Sequence, residues 1–271
     1  MSARSIRRSR IVGSTVAAIV ALAAALGGAA PAGAEPPPPV AKYVALGDSY
    51  AAGQGAGAPL DQCLRSTAAY PVLLDAEPRT NLLRFAACSG ATIDDVLSSQ
   101  LSQVNRGTTL VTVTVGANDL GAGAAYAVCV PNPASPECGA ALAMIVQTLQ
   151  SGDIAADLTA LILAIAERAP NAHIVVTDYP IPFVYGLGAV TDAINDATIA
   201  LNAQIAAAVQ AAAALGADVE LASVQLAFAG HAVGSNDPWL GADTSNPITF
   251  LHPTAAGQEA YRAAILAALA T

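Results

Sequence analysis

Charge is what this chain has least of. Only 11% of its 271 residues are Asp, Glu, Lys or Arg, and acidic residues outnumber basic ones 20 to 11. Four of the basic residues, Arg4, Arg7, Arg8 and Arg10, stand in the first ten positions. Eleven less four leaves 7 basic against 20 acidic residues beyond residue 34, a net charge near −13. Such a surface excludes electrostatic binding to nucleic acid and to anionic lipid. Histidine is also scarce, with His173, His231 and His252 only. The four cysteines, Cys63, Cys88, Cys129 and Cys138, contain no C-x-x-C pair and lie far from any histidine in sequence. With no HExxH and no P-loop either, the chain carries no metal or nucleotide signature, and no metal or cofactor is expected.

What the N-terminus does have is a basic start, an apolar stretch from Ile11 to Ala30, and Ala32-Gly33-Ala34. These are the three parts of a secretory signal peptide, residues 1–34, cleaved after Ala34. An uncleaved membrane anchor is the alternative, since about 20 apolar residues can span a bilayer. The product is expected to be secreted or held in the cell envelope. A Pro-rich extended tail, residues 35–41, precedes one domain over residues 42–271. An even number of cysteines in an exported chain points to two disulfides, and four cysteines allow three connectivities. The favoured one pairs Cys63 with Cys88 and Cys129 with Cys138, the second pair closing a short Pro-rich loop.

Beyond residue 41, short apolar runs alternate with long helical ones. Strands are expected at 42–46, 81–86, 109–115, 172–177 and 217–221. The run Thr109-Leu110-Val111-Thr112-Val113-Thr114-Val115 is the clearest, because all but Leu110 are β-branched. Helices are expected at about 66–74, from a Thr92 N-cap to 101, at 140–169 with a break near Ser151-Gly152-Asp153, at 192–215, and from 254 to the end. The stretch 222–251 reads as mostly irregular. This alternation predicts a three-layer α/β/α sandwich around a central, mainly parallel five-stranded sheet. Sites in such sheets lie at the carboxyl ends of the strands. Ser49, Gly90 and Asn118 each follow a strand and would share that rim.

A serine needs a base to become a nucleophile. His173 opens a strand and reads as structural; His231 stands in a long loop. His252 stands in Leu251-His252-Pro253-Thr254, on a proline-braced turn before the last helix. Position 51 is alanine, so Ser49 lacks the G-x-S-x-G of a nucleophile elbow. Instead, Gly47-Asp48-Ser49-Tyr50, Ser89-Gly90-Ala91, Gly116-Ala117-Asn118-Asp119 and His252-Pro253-Thr254 follow one another in order. This set resembles the SGNH (GDSL) hydrolase family, in its secreted bacterial lipase/esterase branch, over about residues 43–265. The resemblance implies a flavodoxin-like fold and a Cys63–Cys88 disulfide. It further implies Ser49 as nucleophile, His252 as base, and an oxyanion hole made of the Ser49 and Gly90 N–H groups and the Asn118 side-chain amide.

One position departs from the family pattern. An aspartate is expected three residues before the histidine, and Thr249 stands there. The expectation is a Ser–His dyad in which the Thr249 backbone carbonyl accepts the Nδ1 proton; otherwise Asp237 or Asp243 folds back to serve. Asp48 and Asp119 are expected to hold turns. The acyl pocket is expected from the loops 50–60, 179–188 and 228–250, with Phe183, Tyr185, Phe228, Trp239 and Phe250. The partner implied is a small ester or lipid, bound by a monomer with no stable membrane insertion after cleavage and no nucleic acid. A polysaccharide deacetylase and a non-catalytic envelope binding protein are the competing readings.

Overall fold

The computed structural model describes residues 39–270. The expected signal, residues 1–34, and positions 35–38 of the tail lie outside the described residues. Five strands form one sheet: β1 (Ala41–Gly47), β2 (Thr80–Phe85), β3 (Leu110–Thr114), β4 (His173–Thr177) and β5 (Val219–Ala222). Their order is β2-β1-β3-β4-β5 and every pairing is parallel. All five lie within a few residues of the expected strands.

The centre of the sheet explains its composition. β3 is buried over its whole length, as a strand covered on both faces must be. Its threonines do not leave polar atoms stranded. Thr112 Oγ1 is 2.6 Å from the Tyr43 hydroxyl, and Thr114 Oγ1 is 2.9 Å from the Tyr70 hydroxyl and 2.7 Å from Thr177 Oγ1. On one face, Val44, Leu46, Val111 and Val113 meet α6 (Asp153–Arg168) and α7 (Ala189–Ala214). Ile154, Leu158, Leu161, Ile162 and Ile165 recur at helical spacing on α6, and all are buried. On the other face, Tyr43, Ala45 and Val175 meet α2 (Tyr70–Asp75), α8 (Val224–Ala227) and α9 (Ala255–Ala268). Three layers result.

The expected break at Ser151-Gly152-Asp153 is a real joint. Gly152 takes φ +77°, ending α5 (Pro136–Ser151), and the chain bends by 57° into α6. The sequence reading has no helix at α4 (Ala122–Cys129), between β3 and the Cys129–Cys138 loop, nor at the single-turn α8, which falls in the stretch read as mostly irregular.

Strand order 2-1-3-4-5 puts a topological switch between β1 and β3, where the connections leave toward opposite sides and open a crevice. β1 runs into that crevice and stops at Gly47. A Cβ at Gly47 would lie 2.2 Å from the Thr114 carbonyl oxygen, and φ there is +133°. Only glycine lets β1 approach β3 this closely, and the turn that follows carries Ser49.

Candidate active site

Ser49 is the first residue of α1 (Ser49–Ala52), a single turn ended by Gly53 at φ +77°. The buried Asp48 carboxylate caps that turn, accepting the Tyr50 N–H at 2.9 Å and the Tyr179 hydroxyl. Burial pushes Asp48 up to about 7. Ser49 is 8% exposed. As the opening residue of a helix, it has an N–H with no carbonyl behind it.

His252 reaches Ser49 from the far end of the chain. Its Nε2 is 2.9 Å from Ser49 Oγ. The loop that carries it is tied at several points. Gly241 and residues 251–252 exchange backbone hydrogen bonds of 2.9 Å, and the Tyr50 hydroxyl donates to the Leu251 carbonyl at 2.6 Å. Leu251 is held at φ +60°, which is uncommon for a residue with a side chain. Thr254 then caps α9. Desolvation lowers His252 to about 4, against a weaker upward pull from a hydrogen bond to the Phe250 backbone. A bond that favours the imidazolium must be accepted by its partner, so the group is the Phe250 carbonyl.

That result moves the expected support by one residue. The Thr249 carbonyl accepts the His252 backbone N–H at 3.0 Å. The turn over 249–252 uses that carbonyl for its own closure, and the backbone partner of the ring is Phe250. Neither aspartate folds back. Asp237 pairs with the Trp239 indole and with His231, and Asp243 caps the turn at Ser245. His173 bonds Asp218 at 2.8 Å at the start of β4, and His231 stacks on Trp239. Both remain outside the site. On the Nδ1 side of His252 stands the Gln54 amide, Nε2 at 3.3 Å. No residue pattern marks Gln54 in the sequence.

Gly90 and Asn118 come to the same rim from β2 and β3. Gly90 takes φ +81°, and a Cβ there would meet nothing within 4 Å. The residue is exposed, so its backbone is open to an incoming ligand. The N–H groups of Ser89 and Ala91 on either side are taken by the Cys63 and Cys88 carbonyls; among the described residues no carbonyl takes that of Gly90. Cys63 and Cys88 are bonded, which fixes this turn to the loop after α1. The Asn118 amide gives one N–H to the Ala91 carbonyl at 3.0 Å. Its second N–H is left for the crevice. Asp119 accepts the Ile93 N–H at 3.1 Å and so holds the start of α3 (Ile93–Asp95).

Ser49, Asn118 and His252 open onto a cavity of about 680 Å³. Its walls are apolar and include Leu120, Ile145, Phe183, Leu187, Ile194 and Phe250. Among the described residues no lysine or arginine lines it. Phe183 and Phe250 stand where the pocket was expected, but three other aromatics do not. Tyr185 is 53% exposed and bonds Asp196. Phe228 packs edge-on against Trp239 and Tyr261, in the α9 layer. In their place, α4, α5 and the start of α7 supply the wall. The Cys129–Cys138 disulfide joins the end of α4 to the first turn of α5.

A parallel α/β sheet with a desolvated Ser–His pair and convergent N–H donors at its carboxyl rim defines a serine hydrolase. Residues 45–260 match the GDSL-like Lipase/Acylhydrolase family. The chain belongs to that family. It is 38% identical to Lipase 1 of Streptomyces coelicolor over 262 residues, covering 93% of this chain and 95% of the relative. It is also 38% identical to a lipase of Streptomyces rimosus over 224 residues, 80% of this chain and 82% of that one. The crystal structure of the extracellular lipase from Streptomyces rimosus superposes with a TM-score of 0.74 at 36% identity, over 84% of this chain and 99% of that chain. Phospholipase A1 from Streptomyces albidoflavus gives the same TM-score at 32% identity and the same coverage.

Proposed function

We propose that this chain is an exported esterase or lipase that cleaves lipid-like carboxylic esters through an acyl-enzyme on Ser49. One observation carries the reading: Ser49 Oγ, 2.9 Å from His252 Nε2, stands at the mouth of a large apolar cavity. Ser49 Oγ attacks the ester carbonyl carbon as its proton passes to His252 Nε2. The negative oxygen that forms is held by the N–H groups of Ser49 and Gly90 and by the Asn118 amide. The C–O bond to the alcohol then breaks, and the Nε2 proton leaves with the alkoxide. Water repeats the sequence on the acyl-enzyme, releasing the acid and restoring Ser49. The imidazolium has a carbonyl partner in Phe250 and no carboxylate, so the machinery is a dyad.

The apolar lining favours an acyl chain over a sugar. Residues 1–34 would export the chain, residues 42–271 would form the hydrolase domain, and it would act as a monomer. Two disulfides suit an oxidising compartment. The test is hydrolysis of p-nitrophenyl esters by the mature protein, its Ser49→Ala variant and its His252→Ala variant. Each variant should lose about 10³-fold or more in kcat while keeping the parent's circular dichroism. A parent inactive on every ester, or active only on acetylated polysaccharide, would overturn the reading.

A further inference from the structure

We propose that Gln54 is a positioning residue for the general base, filling the Nδ1 side of His252 that a carboxylate would otherwise occupy. The inference rests on the Ser49–His252 reading above. Gln54 lies just past Gly53, which ends the nucleophile turn, and is 6% exposed. Its side chain makes three contacts, two to the base loop and one to the oxyanion turn. Nε2 donates to the Ile248 carbonyl at 3.0 Å, at the start of the base loop. The same nitrogen lies 3.3 Å from His252 Nδ1. Oε1 accepts the Ser89 hydroxyl, next to Gly90. The orientation of the amide follows from chemistry, since a carbonyl needs a donor and only the NH₂ end can face Ile248.

One buried amide therefore links the nucleophile segment, the oxyanion turn and the base loop. The close fit on its neighbour supports the same clamp: a Cβ at Gly55 would lie 3.0 Å from His252 Cβ and 3.4 Å from the Ile248 carbonyl. Gln54 differs from a carboxylate in charge. It carries none, and while Nδ1 holds the proton that the Phe250 carbonyl accepts, its NH₂ group cannot hydrogen-bond the ring; it positions the imidazole by packing on that side and by holding the Ile248 carbonyl, without raising its proton affinity. The other groups facing His252 do not supply a charge at neutral pH. From α1 these are Ser49 and the Tyr50 ring, 5.6 Å between centroids. Asp48 points away to Tyr179, and Asp243 is held by Ser245. The loop 248–251 has no titratable side chain.

The experiment compares the mature protein with Gln54→Leu and Gln54→Glu on a p-nitrophenyl ester. It reads kcat and KM across pH, and the His252 ring titration by NMR. Gln54→Leu should lower kcat about tenfold or more with KM within twofold of the parent. Gln54→Glu should raise the His252 midpoint by a unit or more, because a carboxylate at that distance favours the imidazolium. Ser89→Ala, which cuts the far end of the clamp, should give a smaller loss in kcat of the same kind. Should the leucine variant fail to fold, the near-isosteric glutamate variant carries the test alone. A leucine variant with kcat within twofold of the parent would overturn the proposal. So would a glutamate variant that titrates like the parent. An inactive parent would instead sink the esterase reading beneath it.

Discussion

His252 must be neutral before it can take the Ser49 proton, and its surroundings favour that state. Desolvation lowers it to about 4, and among the described residues no carboxylate touches it. A base with that value stays competent far into acid. The kcat/KM of an ester substrate should therefore hold from neutral pH downward and fall to half only near pH 4. An acid limb near 6.5, the ordinary histidine value, would show that the ring is more solvated or more paired than the structure has it. Stability is a poorer reporter, because two buried groups pull it in opposite directions. The unfolded chain binds a proton at His252 from pH 6.5 downward while the fold resists until about 4. That costs stability as pH falls through this window, by about 3 kcal/mol. Asp48, raised to about 7, does the reverse. Its contribution is full below about 3.8 and is lost as pH rises through 7. The measurement is initial rates from pH 3 to 8, each sample returned to pH 7 to confirm that activity recovers.

At the scale of elements, the strands and the long helices were legible because each carries a periodic pattern. β3 is β-branched after Leu110, and α6 repeats its apolar residues every three or four positions. α4 was not legible. Ala-Gly-Ala-Ala-Tyr-Ala-Val-Cys has no polar face to contrast with an apolar one, so nothing in it marks a period. The missing pattern reflects what α4 does. It covers a cavity instead of packing flat on the sheet, and its Tyr126 hydroxyl reaches across to the Thr244 carbonyl at 3.0 Å. α4 packs chiefly against α5, and the Cys129–Cys138 bond ties the two helices together. Replacing both cysteines by alanine should leave the sheet and the Ser49–His252 pair intact but loosen this wall. The expected outcome is a loss of several-fold in kcat/KM for long-chain esters, with little change for acetate or butyrate esters. Equal losses at all chain lengths would mean that the bond supports the fold as a whole and not the pocket.

For the whole molecule, the sheet order decides which distant residues meet. Ser49 and His252 are 203 positions apart, yet both reach the crevice between β1 and β3. The blocks around Ser49, Gly90, Asn118 and His252 were readable because each follows a strand or precedes a helix. Gln54 and the Phe250 carbonyl were not, because their roles depend on how the loop 248–252 folds back on residues 50–55. That is a tertiary fact with no local signature. The same folding encloses the cavity, and its shape makes the last prediction. An apolar space of about 680 Å³ with no lysine or arginine on its walls rewards length in a neutral acyl chain. Each methylene buried is worth about 0.8 kcal/mol, or up to roughly fourfold in kcat/KM. Across a p-nitrophenyl series from acetate upward, kcat/KM should climb by no more than that factor per carbon and then level off as the cavity fills. A monoester of a dicarboxylic acid of equal length should be hydrolysed far more slowly, because its terminal carboxylate would be buried without a cation to meet it. A flat series, or a dicarboxylate ester accepted as well as its neutral analogue, would show that the acyl chain binds elsewhere.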